Sequence, residues 1–131
     1  MLTFSGVRRV FLARGATDLR RGIDGLAGLV ASQWQQDPFA GDAFVFIGRD
    51  RRRLKVLVWE EGGFWLCLKR LEAGTFALPS PGDGPTVTVT PAQMHALLEG
   101  IDVRRARFRV RQGVDGVGSE RSFRTYRAWT S

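Results

Sequence analysis

Three apolar runs separated by very short turn signals constrain this chain more than anything else in it. "AFVFIG" (Ala43–Gly48) and "RLKVLVWE" (Arg53–Glu60) are joined by the charged turn Arg49-Asp50-Arg51-Arg52. "GFWLCLKRLE" (Gly63–Glu72) follows after Glu61-Gly62-Gly63. The runs are rich in β-branched and aromatic residues, and connections this short join antiparallel neighbours, so the sequence predicts a β-meander. "GTFALP" (Gly74–Pro79) reads as a short fourth run of it, and "TVTVT" (Thr86–Thr90) alternates as an edge strand does. Leu54, Val56 and Val58 point to one face of the middle strand and Leu57 and Trp59 to the other. Both faces are therefore expected to be covered, at least in part.

The cover comes from two predicted helices. From about Leu19 to Gln35, capped by Thr17 or Asp18, the residues Leu19, Ile23, Leu26, Ala27, Val30 and Trp34 form one amphipathic stripe, which Asp37-Pro38 ends. Thr90-Pro91 opens a short second helix that stops at Gly100. "VRRVFLARG" (Val7–Gly15) reads as a first strand. The predicted order β-α-β-β-β-β-β-α makes an α+β domain over residues 1–103: an antiparallel meander of about five to six strands, with a longer N-terminal and a short C-terminal helix. Residues 104–131 show no sustained period and read as a basic tail, loosely ordered or ordered by a partner.

Charge narrows the partners. The chain of 131 residues carries a net charge of +7, and arginine supplies 18 of its 20 cations. Residues 1–100 hold 12 Arg or Lys against 10 acids, and residues 101–131 hold 8 Arg against 3. Arginine suits bidentate phosphate contact, so nucleic acid is the first partner to consider. A coding bias toward arginine gives the same composition. No run is long enough to span a membrane, and the N-terminus lacks the order of a signal peptide. The reading is a soluble, cytoplasmic protein.

Catalytic constellations are missing. One Cys, Cys67, and one His, His95, exclude a disulfide and make a His/Cys metal site improbable. Asp18 and Asp24 lie six residues apart on different helical faces, unsuited to two-metal chemistry. Neither Lys55 nor Lys69 sits two residues after an acid, Cys67 lies in an apolar strand, and Tyr126 stands alone among tail arginines. The chain is read as no enzyme, with no cofactor and no metal.

Binding has several candidate places. "GRDRRRLK" puts Arg49, Arg51, Arg52, Arg53 and Lys55 at a hairpin tip that can meet phosphates or enter a major groove, or that is a solvated turn discouraging aggregation. Lys69 and Arg70 extend that surface or form an exposed pair with Glu72. In the tail, Arg104, Arg105, Arg107, Arg109, Arg111, Arg124 and Arg127 interleave with aromatics, which suits single strands or a protein partner. Arg20 and Arg21 sit in the predicted first helical turn, where a phosphate would offset their clash with the macrodipole, or where they pair with Asp18 and Asp24. Gly22, Gly25 and Gly28 form a strip on the helix back that admits another backbone, within the fold or from a second subunit.

"TDLRRGIDGL", "DPFAGDAFVFIGRDRRRLKVLVWEEGGFWLCLKRLEAGTFALPSP" and "TPAQMHALLEGID" resemble the TnpB accessory proteins of insertion-sequence family sixty-six. That family's middle motif is met by Lys55, Leu57, Trp59, Gly63, Lys69, Arg70, Leu71, Glu72, Gly74 and Phe76. Leu78 and Val103 stand where tryptophans are expected, and the tail is longer than usual. The resemblance implies a non-catalytic protein encoded beside a transposase and assisting transposition. The transposase and other proteins of the same element are the partners it implies, beside the DNA that the charge points to and the homo-oligomer that the glycine strip suggests.

Overall fold

A computed structural model describes residues 6–100. Five strands and two helices follow in the order β1 (Val10–Ala13), α1 (Ile23–Ser32), β2 (Ala43–Ile47), β3 (Arg53–Glu60), β4 (Gly63–Arg70), β5 (Thr86–Val89) and α2 (Pro91–Leu98). They form the expected α+β fold around one five-stranded sheet of order β4-β3-β2-β1-β5.

The meander holds for β2, β3 and β4 and fails for β1. The first strand lies parallel to β2, Phe11 beside Phe44, and antiparallel to β5, Phe11 beside Thr88. A parallel neighbour needs a crossover, and α1 supplies it. The sheet is therefore mixed. The fourth run is no strand: the backbone N–H groups of Leu71 and Phe76 donate instead to the carbonyls of Arg52 and Arg51, at 2.7 and 2.6 Å.

Every residue of β2 is buried, as its central place requires. Phe11, Ala13, Phe44, Phe46 and Leu57 face α1 and meet Leu26, Val30 and Trp34. Trp34 stacks on Phe46 with ring centroids 4.9 Å apart. Val10, Leu12, Val45, Ile47, Leu54, Val56 and Val58 face the other way, against Phe76 and the α2 residues Met94, Leu97 and Leu98. Each such large side chain contributes roughly 1.5–3 kcal/mol by leaving water.

The helices start differently. At α2 the Thr90 hydroxyl accepts from the N–H of Gln93, whose side chain accepts in turn from the N–H of Thr90, a complete capping box. α1 begins four residues later than the periodicity of its stripe suggests, with Gly22 at the N-cap and no side-chain cap. The Asp18 carboxylate holds the Arg20 N–H at 3.0 Å and keeps this stretch in a turn. The helix ends at Ser32, and the N–H of Gln36 reaches back to Val30 over Gln35, whose φ is +53°.

Candidate nucleic-acid interface

The parallel pairing of β1 with β2 decides where the basic residues gather. Both strands leave the sheet at the same end, where β3 enters and β4 leaves. The loop before α1, the turn between β2 and β3, and the stretch after β4 therefore converge. The Thr17 N–H donates to Ile47 at 2.8 Å, tying the first loop to the end of β2. Gly48 permits this approach, because a Cβ there would stand 3.0 Å from Leu19 Cδ1. Arg14 donates to the carbonyls of Ser80 and Asp83 at 3.0 and 3.1 Å, fixing a further loop at this end.

The hairpin tip is backed along one side by residues 71–76, through the two hydrogen bonds to Arg51 and Arg52. It is the rim of a sheet end rather than a free two-stranded ribbon. Arg51 stands at its apex with φ +59°. Arg49, Arg51, Arg52 and Arg53 are all exposed. Asp50 organises them: one oxygen accepts the Arg52 N–H at 3.0 Å, the other accepts the Arg53 guanidinium at 2.9 and 3.0 Å. The Arg52 N–H, and then the Arg53 guanidinium, hold the Asp50 carboxyl below the usual range. Arg53 lies directly opposite Arg70, and the repulsion is met by a carboxylate for each, Asp50 and Glu72.

The two lysines of the predicted site are committed to the fold. Lys55 is half-buried on the α1 face, and its ammonium donates to the carbonyls of Leu19 and Arg21 at 2.8 and 3.0 Å. It holds the loop that carries Arg20 and Arg21. Lys69 does not extend a surface with Arg70: successive strand residues face opposite ways, and Lys69 is 4% exposed while Arg70 is exposed. Its ammonium donates to Leu98 and satisfies an orphan carbonyl at the end of α2. Burial lowers its pKa to about 8.

Arg20 and Arg21 precede α1, whose N-cap is Gly22, rather than occupy its first turn. Arg20 clasps Asp18 through both carboxylate oxygens, which drives the Asp18 carboxyl far below the usual range. Among the described residues, Arg21, Arg49 and Arg51 have no ion pair and no side-chain hydrogen bond, and Arg52 donates only to the Glu72 carbonyl. Between the two loops lies an open pocket of about 310 Å³ lined by Thr17, Asp18, Leu19, Arg20, Gly48, Arg49, Asp50 and Arg53. The arrangement can seat anionic groups along a positive rim.

Gly22, Gly25 and Gly28 are exposed, and nothing described approaches a Cβ at Gly22 or Gly28, so they serve no contact within the described fold. At Gly25 the nearest atoms belong to Arg21. The tail arginines Arg104, Arg105, Arg107, Arg109, Arg111, Arg124 and Arg127, and Tyr126, lie outside the described residues. His95 is exposed, and burial pushes the half-buried Cys67 thiol up to about 11, away from nucleophilic use. Among the described residues no group of three or more His, Cys, Asp or Glu is placed to hold a metal, and no helix is long and apolar enough to cross a membrane.

Sequence reasoning missed an apolar margin at β4. Phe39, Trp59 and Phe64 form an aromatic corner with centroids 4.9 to 5.3 Å apart. Phe39, Trp65 and Leu68 are 56%, 50% and 49% exposed. The apolar residues on both faces of "GFWLCLKR" carried the signal, but only the strand order shows that this strand is an edge.

Comparison with known proteins follows the same span. The family model described as IS66 Orf2 like protein matches residues 8–108. The uncharacterized protein y4hO of Sinorhizobium fredii is 43% identical over 97 residues, 73% of this chain and 83% of its own length. Protein y4jC of the same organism is 36% identical over 99 residues, 76% of this chain and 84% of its own length. No solved structure matches the chain.

Proposed function

The chain belongs to the IS66 Orf2-like family of transposition-associated accessory proteins, and from that premise we propose that it is a non-catalytic DNA-binding protein whose basic sheet end holds the phosphate backbone while the transposase complex assembles. The observation that carries this reading is the set Arg21, Arg49, Arg51 and Arg52, exposed at one end of the sheet and in no salt bridge among the described residues, with Arg49 feeling only the charge of the Asp18 carboxylate that Arg20 clasps. The acids present, Asp18, Asp50 and Glu72, are already paired with Arg20, Arg53 and Arg70. The unpaired arginines are thus available to phosphates, and Lys55 fixes the loop that presents Arg21. Lys55 supports this surface from within, while Lys69 is held against the end of α2. The tail arginines add to it in the same proposal, and the transposase and other proteins of the element are its protein partners. A second subunit against the α1 glycines belongs to the proposal as well.

The test is fluorescence anisotropy with a labelled duplex of the element's end and a scrambled duplex, across a salt series. Replacing Arg49, Arg51 and Arg52 by alanine is expected to weaken binding and flatten the salt slope by about 0.9 per lost phosphate contact. Weak binding that the substitutions leave unchanged contradicts the reading. An adaptor that holds the transposase and barely touches DNA is the second reading, favoured by the aromatic corner in which the exposed Phe39 packs on the half-buried Trp59 and Phe64.

A further inference from the structure

β4 is the outermost strand on its side of the sheet, and its outer backbone edge runs eight residues without a described partner. A long apolar edge invites uncontrolled pairing, and folded proteins cover or charge such edges. Here only Lys69 and Arg70 carry charge; Trp65 and Leu68 are about half exposed, and Phe64, Leu66 and Cys67 are incompletely covered. The opposite edge, β5, is only four residues long and alternates threonine with valine.

The path of the chain indicates what covers β4. α2 starts beyond β5, at Thr90, and crosses the sheet face until Leu98 accepts from Lys69 near the end of β4. Gly100, at φ +81°, then lies against Leu71: a Cβ there would stand 3.4 Å from Leu71 Cδ1. The described chain therefore ends beside the last residues of β4, the place from which an antiparallel neighbour of β4 has to start. The sequence that follows has no period over its whole length, but Arg105-Ala106-Arg107-Phe108-Arg109-Val110-Arg111 alternates locally with a period of two. The family match runs on to residue 108, so the shared unit continues past Gly100 into this segment.

We propose that the outer edge of β4 is the docking site for residues 104–111 of the same chain, added antiparallel as a sixth strand. Ala106, Phe108 and Val110 cover the face of Phe64, Leu66 and Leu68. The alternating arginines fall on the Trp65 face, where a guanidinium stacks on the indole and the outward charge stays in water. A linker of a few residues gives the tethered strand a millimolar effective concentration, so it outcompetes a second copy at micromolar protein.

Hydrogen exchange on the full chain without DNA, with light scattering in parallel, tests this apart from the DNA reading. The expected result is that residues 104–111 and β4 exchange more slowly than free chain by about tenfold or more, whatever the mass of the particle. The double variant Phe108→Asp with Val110→Asp should release both segments and leave β1 to β3 protected. Val110→Pro, which removes a single ladder donor, should loosen them partially, and Phe123→Asp should change nothing. Exchange of residues 104–111 at the free-chain rate overturns the proposal. So does β4 protection that appears only with a doubling of mass, which assigns the edge to a second copy, or only on adding the transposase, which assigns it to the adaptor reading.

Discussion

The basic end of the sheet and the apolar margin of β4 are both exposed, yet they are built in opposite ways. At the basic end the backbone is tied repeatedly: Thr17 to Ile47, Leu71 to Arg52, Phe76 to Arg51, Lys55 to Leu19 and Arg21. Its side chains carry the surplus charge. Along β4 the outer backbone edge lacks a described partner and the side chains carry the surplus apolar surface. A rim whose backbone is already tied spares a ligand the cost of ordering the loops and leaves only the arginine side chains to be ordered, which suits a phosphate backbone. An unpaired apolar edge gains stability only when something is laid along it. On the readings proposed above, one end awaits a ligand and the other a covering strand.

The sharpest way to break this comparison is at Lys69 and Arg70, neighbours in sequence on opposite faces of β4, one buried under α2 and one on the basic end. Lys69→Ala should cost about 2–4 kcal/mol in urea unfolding, through lost packing and an orphaned carbonyl at Leu98. Arg70→Ala should cost about 0.5 kcal/mol or less, because its pair with Glu72 is exposed. Equal costs would contradict the assignment of faces.

Titration sharpens the same point. Burial lowers Lys69 from 10.5 to about 8, so folding releases a proton between those values and stability rises with pH across that window. The advantage of the wild type over Lys69→Met should thus grow from pH 8 toward 10.5 by about 3 kcal/mol at most. A difference that is flat or shrinks with pH would show that the ammonium is not buried. At the rim, changing Arg49, Arg51 and Arg52 to alanine should weaken duplex binding about 10- to 100-fold at low salt and leave the unfolding midpoint within about 0.5 kcal/mol of wild type. Trp65→Ser with Leu68→Ser should leave binding unchanged. The smallest effect is at Asp50: Asp50→Asn retains the oxygen that takes the Arg52 N–H and releases Arg53, so duplex affinity should rise by about two- to fivefold.

Much of this was legible in the sequence where local chemistry decides. The bounds of β3 and the capped start of α2 follow from pattern and from Thr90-Pro91. The parallel place of β1 was missed although the predicted β-α-β start carried its mark: a helix between two strands is the crossover that parallel neighbours need, and the short turns further on drew the whole sheet into a meander. Gly74–Pro79 has the composition of a strand, but its neighbours' N–H groups are claimed by the hairpin carbonyls. Of the candidate site, the exposure of Arg49, Arg51, Arg52 and Arg53 followed from the turn alone. The burial of Lys69 did not, since it depends on where α2 ends. Arg20 and Arg21 looked helical only because the apolar period runs through Leu19 into a turn set by Asp18.

The most direct test of the basic rim is a duplex titration followed by amide and arginine Nε chemical shifts of the full chain. The account predicts shifts concentrated at Thr17–Arg21 and Gly48–Arg53, with β4 from Gly63 to Leu68 unmoved. Shifts confined to β4 and the aromatic corner, or none at the rim under saturating duplex, would contradict it.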